Sequence, residues 1–89
     1  MPEENEIYDL ALKIIGNRLR EIRHDKGYTN YEKYAFARDL NRSKYGKYEN
    51  GSNMQLITLL KILIKTDIHP NDLFNDIWDE ITDLTKQEE

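Results

Sequence analysis

The side chains of this 89-residue chain that could bind a ligand through charge are concentrated in its middle. Residues 15–65 hold eleven Lys and Arg against five Asp and Glu, whereas residues 1–14 and 66–89 carry net charges of −3 and −7. The overall charge of −4 therefore conceals a middle segment with a charge of +6. Because Lys and Arg neutralise phosphates, such a segment is typical of proteins that bind polyanions. The alternative is a charged face that is only solvated.

Few residues are suited to catalysis or to metal binding. The chain has no cysteine, which excludes a disulfide scaffold, a thiol nucleophile and a Cys-based metal site. Its two histidines, His24 and His69, are not at metal-ligand spacing. Neither serine lies in a nucleophile elbow, and no glycine-rich loop precedes a helix. We therefore expect no enzyme activity, no metal site, no cofactor and no small-molecule substrate.

The composition predicts a single domain over residues 1–89. With 38% hydrophobic residues and nine aromatics, the chain can bury one small core. The longest strongly apolar stretch, 54–64, contains polar residues and is shorter than the roughly 20 residues that span a bilayer. The acidic start of the chain is unlike a signal peptide. We expect a cytoplasmic protein with no membrane partner.

Apolar periodicity and capping signals predict an all-α fold of five helices. These helices should cover residues 5–26, 30–38, 42–49, a segment from Ser52 to about residue 65, and a last segment that starts at Pro70. Capping boxes begin at Thr29 and Ser52, and Asn41 is a good N-cap for the third helix. The fourth helix should turn inward its leucines Leu56, Leu59, Leu60 and Leu63.

The helices over 30–38 and 42–49 lie in the basic segment and are joined by about three residues. A short connection between short helices is how a helix-turn-helix presents its second helix to the major groove of DNA. Arg42 lies at the N-terminal tip, where side chains reach base edges first. Gly46 is unusual because a mid-helix glycine costs ~1 kcal/mol relative to alanine. We hypothesise that Gly46 lets the backbone approach the groove closely.

Residues 15–74 resemble the lambda-repressor-like, or XRE-type, helix-turn-helix family. The matching residues are Ile15-Gly16-Asn17-Arg18-Leu19-Arg20-Glu21-Ile22-Arg23, Gly27-Tyr28-Thr29, Ala35, Lys47-Tyr48-Glu49-Asn50-Gly51, Leu59-Leu60-Lys61-Ile62-Leu63 and Asp72-Leu73-Phe74. The resemblance implies a five-helix domain with its core at 15–74, acidic extensions at 1–14 and 75–89, and extended first and last helices. It also implies a transcriptional regulator, a repressor, that binds specific sequences of double-stranded DNA with its third helix in the major groove.

The resemblance implies roles for individual residues as well. The base-reading positions of the family are occupied here by Arg42, Ser43, Lys44 and Lys47. Phosphate contacts in such proteins come from helix starts, and these fall on Thr29, Asn30, Tyr31, Ser52 and Asn53. Arg23 would pair with Glu49, because an inward-facing carboxylate needs a partner. Tyr45 replaces the usual Ile or Val, and we expect it to pack in the core.

Apolar residues at both ends of the chain exceed what the family core requires. They either pack on each other within the chain or form the interface of a homodimer, with Trp78 as anchor between Ile77 and Ile81. We favour the homodimer, which would place two recognition helices about 34 Å apart on DNA. Two other functions stay open. One is a protein-interaction or antitoxin-like module whose acidic C-terminal helix binds a partner, and the other is a non-specific nucleic-acid binder.

Overall fold

The computed structural model describes residues 4–86, and all of the regular elements in this range are α-helices. The helices are α1 (Glu4–Asp25), α2 (Tyr31–Ala37), α3 (Arg42–Glu49), α4 (Leu56–Lys65), α5 (Pro70–Phe74) and α6 (Trp78–Lys86). The predicted all-α class is confirmed. None of the helices within residues 4–86 has the length and apolarity that crossing a membrane requires. The acids Glu3, Glu88 and Glu89 of the predicted extensions lie outside the described residues.

Asparagine side chains begin both helices of the helix-turn-helix. Asn30 Oδ1 accepts hydrogen bonds from two backbone amides of α2 at 2.8 and 3.1 Å, so Asn30 caps this helix and the predicted cap at Thr29 is wrong. Asn41 Oδ1 accepts from one amide of α3 at 3.0 Å, which confirms the predicted N-cap. In the turn between them, Asp39 adopts a φ of 57°. Aspartate tolerates this left-handed conformation better than most residues, which lets the turn form without a glycine.

The fourth helix begins later than the capping box at Ser52 predicts. α4 starts at Leu56, and its N-cap residue Gln55 makes no side-chain hydrogen bond. The amide of Ser52 closes the end of α3 instead, since it donates to the carbonyl of Lys47 at 3.0 Å. Asn53 Oδ1 accepts from the amide of the following residue at 2.8 Å. Residues 52–55 therefore form an irregular connection, and the prediction of a helix from Ser52 is wrong.

The segment from Pro70, predicted as one helix, forms two. Pro70 occupies the first position of α5, and His69 Nδ1 caps this helix by accepting from a backbone amide at 3.1 Å. A turn over 75–77 then separates α5 from α6. In this turn the amide of Ile77 donates to the carbonyl of Phe74 at 3.1 Å. The two residues are three positions apart, as in a 3₁₀ turn, and not four as in an α-helix. The change of direction lets both short helices contact α1.

The main core joins the first five helices around Tyr34, which is completely buried. Its other buried members are Leu19, Ile22, Ala35, Tyr45, Ile62, Leu63, Ile68 and Leu73. Tyr45 is 2% exposed and its ring centroid lies 5.7 Å from that of Tyr34, so its predicted place in the core is confirmed. Burial raises the pKa of Tyr45 far above its usual value, and the phenol therefore stays neutral.

A smaller core packs the two ends of the chain together. Ile77 and Ile81 are 6% and 9% exposed and pack against Ala11 of α1. Trp78 stays 55% exposed, and its ring meets that of Phe74 edge-on at a centroid distance of 6.2 Å. Of the three residues predicted as a dimer interface, two are thus buried within the chain, because they cover the apolar side of α1. Of the three, only Trp78 is exposed.

Candidate nucleic-acid interface

Helix α3 has one buried side and one exposed side. Tyr45, Gly46 and Glu49 are buried. The four predicted base-reading residues are exposed and lie along the tip and outer side of the helix: Arg42, Ser43, Lys44 and Lys47. Within residues 4–86, no acid pairs with the basic groups of Arg42, Lys44 and Lys47. Their charges are therefore available to a ligand.

The buried side of α3 is held by an ion pair to α1. Arg23 Nε and Nη2 donate to the two carboxylate oxygens of Glu49 at 2.8 and 3.0 Å, and both residues are 4% exposed. A third guanidinium nitrogen, Nη1, donates to the carbonyl of Tyr28 at 2.9 Å. The hydrogen bond to Glu49 raises the pKa of Arg23 despite its burial, so Arg23 stays charged. The ion pair that the resemblance implies is present, and it fixes the rotation of α3 about its axis.

Two features of α1 that the sequence reading gave no role hold the C-terminal end of α3. A Cβ atom built on Gly16 would lie 2.5 Å from the carbonyl oxygen of Tyr48 and 2.6 Å from that of Glu49. The backbones of α1 and α3 therefore touch at this glycine. One turn further, Arg20 Nη2 donates to the side-chain oxygen of Asn50 at 2.9 Å. The close approach leaves α3 little freedom to shift along α1.

The structure gives Gly46 a different explanation from the one that the sequence suggests. A Cβ atom built on Gly46 would lie 2.6 Å from Cε2 and 2.9 Å from Cζ of Tyr31. The ring of Tyr31, at the start of α2, covers the space beside Gly46, which is itself buried. Gly46 thus makes room for an aromatic ring of the same chain, and the hypothesis of a groove-facing glycine is wrong.

The predicted phosphate contacts divide into two groups. Thr29, Asn30 and Tyr31 are exposed at the start of α2, where the side chain of Asn30 already caps two of the free amides. Ser52 and Asn53 are exposed too, but α4 begins only after residue 55. The helix-start argument therefore does not apply to these two residues, and any contact with phosphate would have to use their own side chains.

One acidic residue, Glu32, is the last residue of the predicted capping box that begins at Thr29, and it lies beside these positions. Glu32, in the first turn of α2, is exposed and lines a shallow depression together with Tyr31, Arg42 and Ser43. A carboxylate in this position can accept a hydrogen bond from the amino group of a cytosine in the major groove. The sequence gives no local signal for this position, because the short connection joins the end of α2, and not its start, to α3.

Comparisons with known proteins place the chain in a family. No family model and no solved structure matches it. The control protein C.MunI of a Mycoplasma species is 38% identical to it over 66 residues, which cover 73% of this chain and 89% of that protein. A shared sequence of this extent, on an all-helical domain with the arrangement described above, shows that the chain belongs to the lambda-repressor-like, XRE-type helix-turn-helix family of DNA-binding regulators.

Proposed function

We propose that this protein is a transcriptional regulator that binds specific sequences of double-stranded DNA with α3 in the major groove. The observation that carries the proposal is the two-sided character of α3. Its exposed side carries Arg42, Ser43, Lys44 and Lys47, whose three basic groups pair with no acid among residues 4–86, while its buried side is held by the ion pair to α1. A rigid helix with free basic side chains can dock without reorganising the domain.

The size of α3 suits the major groove. An α-helix with its side chains is about 10–12 Å across, and the groove is about 12 Å wide, so α3 can enter it. Arg42 at the tip and Lys44 and Lys47 along the outer side can donate to O6 and N7 of guanine. Each good pair of this kind is worth about 1–3 kcal/mol of discrimination. The hydroxyl of Ser43 can donate or accept a hydrogen bond, so it can contact a base edge that presents an acceptor or a donor.

Residues around α3 supply contacts that position the domain without reading sequence. Thr29, Asn30 and Tyr31 flank the N-terminal end of α3, and Ser52 and Asn53 follow its C-terminal end. Polar side chains at both ends of a recognition helix can reach the phosphates on either side of the groove. These side chains carry no charge and should add little to the salt dependence of binding, which follows the phosphates that Lys and Arg neutralise.

Two findings support the proposal that the protein binds DNA in order to regulate transcription. One is its family, and the other is the name of its relative, control protein C.MunI. We further propose that the protein is a repressor, a direction that rests on the family resemblance. It would act as a homodimer, because one eight-residue helix reads only a few base pairs and a second copy doubles the site.

A selection from random duplex DNA at two salt concentrations tests the proposal. The wild-type protein should enrich one palindromic sequence, and Lys44→Ala/Lys47→Ala should lose the enrichment. Lys86→Ala, which removes an exposed lysine of the acidic helix α6, is the control and should leave the selected sequence unchanged. Binding that is steep in salt but indifferent to sequence would instead identify a non-specific nucleic-acid binder.

The same experiment separates a second candidate function. Trp78 is exposed on α6 beside the acids Asp79 and Glu80, a surface suited to a basic protein partner. If no DNA is bound even at low salt, the protein-interaction or antitoxin-like reading takes the place of the proposal. In that case a partner should co-purify with the wild-type chain and be lost from Trp78→Ala.

A further inference from the structure

Helix α4 has three sides with different surroundings. One side enters the main core, and Leu56 and Leu60, which the sequence predicts to lie there, are 72% and 48% exposed on another side. The third side faces α3 and the turn before it, and it carries Thr58, Lys61 and Lys65. Helix α4, which the structure describes in full, contains no acid. Neither the core nor the base-reading residues explain why this third side is basic.

A cleft separates the third side of α4 from α3. Its volume is about 260 Å³, and its apolar wall is formed by Leu40, Tyr45 and Ile62. Tyr45 and Ile62 are each 2% exposed, so this wall belongs to the fixed core. Pockets for drug-sized molecules measure about 300–1,000 Å³, and one water takes up about 30 Å³ of the liquid. The cleft therefore suits a group of several heavy atoms that is smaller than a drug.

The lining of the cleft carries more positive than negative charge. Among the described residues that line it, Asp39 is the only acid, whereas three are lysines: Lys44, Lys61 and Lys65. Lys65 Nζ lies 2.8 Å from the carbonyl oxygen of Asp39 and 3.4 Å from its carboxylate, so Lys65 and Asp39 neutralise each other. Lys44 and Lys61 pair with no acid among residues 4–86. Two ammonium groups therefore border a concave, partly apolar surface, which concentrates their field.

The neutral groups of the lining also favour an anion. The half-buried side chains of Tyr48 and Thr58 bring hydroxyl groups that can donate hydrogen bonds to an oxygen. Asn41, the N-cap of α3, places the positive end of the dipole of this eight-residue helix beside the cleft. A cation would find only the carboxylate of Asp39, which is already engaged by Lys65.

We propose that the cleft between α3 and α4 binds a phosphate group, held by the ammonium groups of Lys44 and Lys61. Lysine binds phosphate as a point charge and does not need the fixed fork geometry of arginine, which suits two flexible side chains on different helices. The phosphate group belongs either to a small phosphorylated molecule or to the backbone of DNA. The site itself does not rest on the proposed function, but its effect on DNA binding does.

The two sources of phosphate have different consequences. A free phosphate in the cleft competes with DNA for Lys44, which is also a predicted base-reading residue. By linkage, phosphate and DNA then lower the affinity for each other by the same factor, and the cleft is a regulatory site. A backbone phosphate in the cleft instead adds Lys61 to the groups that DNA neutralises. Each such group contributes about −0.9 to the slope of log affinity against log salt concentration.

A titration with inorganic phosphate in the absence of DNA tests the site. Chloride keeps the ionic strength constant, and amide signals are followed by nuclear magnetic resonance. We expect the signals of Thr58 and Lys61 to shift and saturate, with a dissociation constant of about 1 mM, because both ammonium groups are exposed to solvent.

Variants of equal charge separate the cleft from the rest of the surface. Lys61→Gln should weaken phosphate binding about 10-fold, and circular dichroism should show an unchanged helix content because Lys61 is exposed. Lys86→Gln removes the same charge from α6, away from the cleft, and should bind phosphate like the wild type.

Binding to the selected DNA sequence identifies the source of the phosphate. For a free phosphate, replacing chloride by phosphate at equal ionic strength should weaken DNA binding by the wild type more than by Lys61→Gln. For a backbone phosphate, the two anions should act alike, and Lys61→Gln should make the salt slope shallower by about 0.9. Either pattern supports the phosphate site.

The proposal is overturned when Lys61→Gln equals the wild type in both the phosphate titration and the salt slope. Phosphate shifts of the same size in the wild type and in Lys61→Gln, spread over the whole surface, would have this meaning for the titration. A chain that binds phosphate in the cleft but selects no DNA sequence would refute the proposed function alone. A chain that selects a sequence while Lys61→Gln changes nothing would refute the phosphate site alone.

Discussion

Replacing Gly46 by alanine should stabilise the domain only where the Tyr31 ring has also been removed. In a helix interior, alanine is favoured over glycine by about 0.8–1.0 kcal/mol, so an exposed Gly46 would gain that amount of stability on substitution. In this structure the added Cβ would meet the Tyr31 ring at 2.6 Å, whereas carbon atoms in contact prefer about 3.5–4.0 Å. The ring must therefore move by about 1 Å or swing out into solvent.

The cost follows from how much of Tyr31 is covered. Its side chain belongs to a residue that is 38% exposed, so most of it is buried, and full burial of a large side chain contributes about 1.5–3 kcal/mol. Displacing the ring should lose about 1–2 kcal/mol, which cancels or exceeds the gain in helix propensity. In a Tyr31→Ala background the ring is absent, and Gly46→Ala should then stabilise the domain by about 1 kcal/mol.

Urea denaturation of the wild type, the two single variants and the double variant measures the coupling. We expect a coupling free energy of about 1–2 kcal/mol between positions 31 and 46. Equal stabilisation by Gly46→Ala in both backgrounds would refute the packing explanation. Since Tyr31 is also a predicted phosphate contact, Gly46→Ala should weaken DNA binding about as much as Tyr31→Ala does.

Three further predictions concern the elements that hold α3. Glu49→Gln should cost about 3–5 kcal/mol in the free energy of unfolding, because Arg23 is left charged and unpaired in the core, while Arg23→Met/Glu49→Leu should cost much less. A similar loss in the single and double variants would contradict this. Gly16→Ala should lower the free energy of unfolding by about 1–3 kcal/mol, since its Cβ would collide with the backbone of α3, and unchanged thermal stability would contradict the close approach. Asn41→Ala should cost about 1 kcal/mol, seen as a fall in the melting temperature of about 4–8 °C, and no change would mean that the cap contributes nothing.

The features that could be predicted from the sequence depend on residues close together in the chain. The short connection before Arg42 and the cap at Asn41 follow from local chemistry, and they give the bounds of α3 correctly. The pairing of Arg23 with Glu49 spans more of the chain, and it came from the family resemblance together with the need of an inward carboxylate for a partner.

The features that were missed depend on contacts between elements. The Ser52 capping box has the right spacing, but the Ser52 amide is used by the end of α3. The role of Gly46 depends on Tyr31, fifteen positions earlier, and a pattern of residues within α3 cannot show it. The leucine pattern of α4 does not reveal which of its sides meets the core, so Leu56 and Leu60 were placed inside when they lie outside.

We propose that the exposed side of α3 reads bases, and the most direct test is the base preference of Arg42→Ala. Binding of this variant to every single-base change of the selected sequence should be compared with that of the wild type and of the control Lys86→Ala. We predict that Arg42→Ala loses the preference at one position in each half-site, worth about 1–3 kcal/mol, and keeps the preference elsewhere. An unchanged profile, or equal weakening at every position, would contradict the claim that Arg42 reads a base.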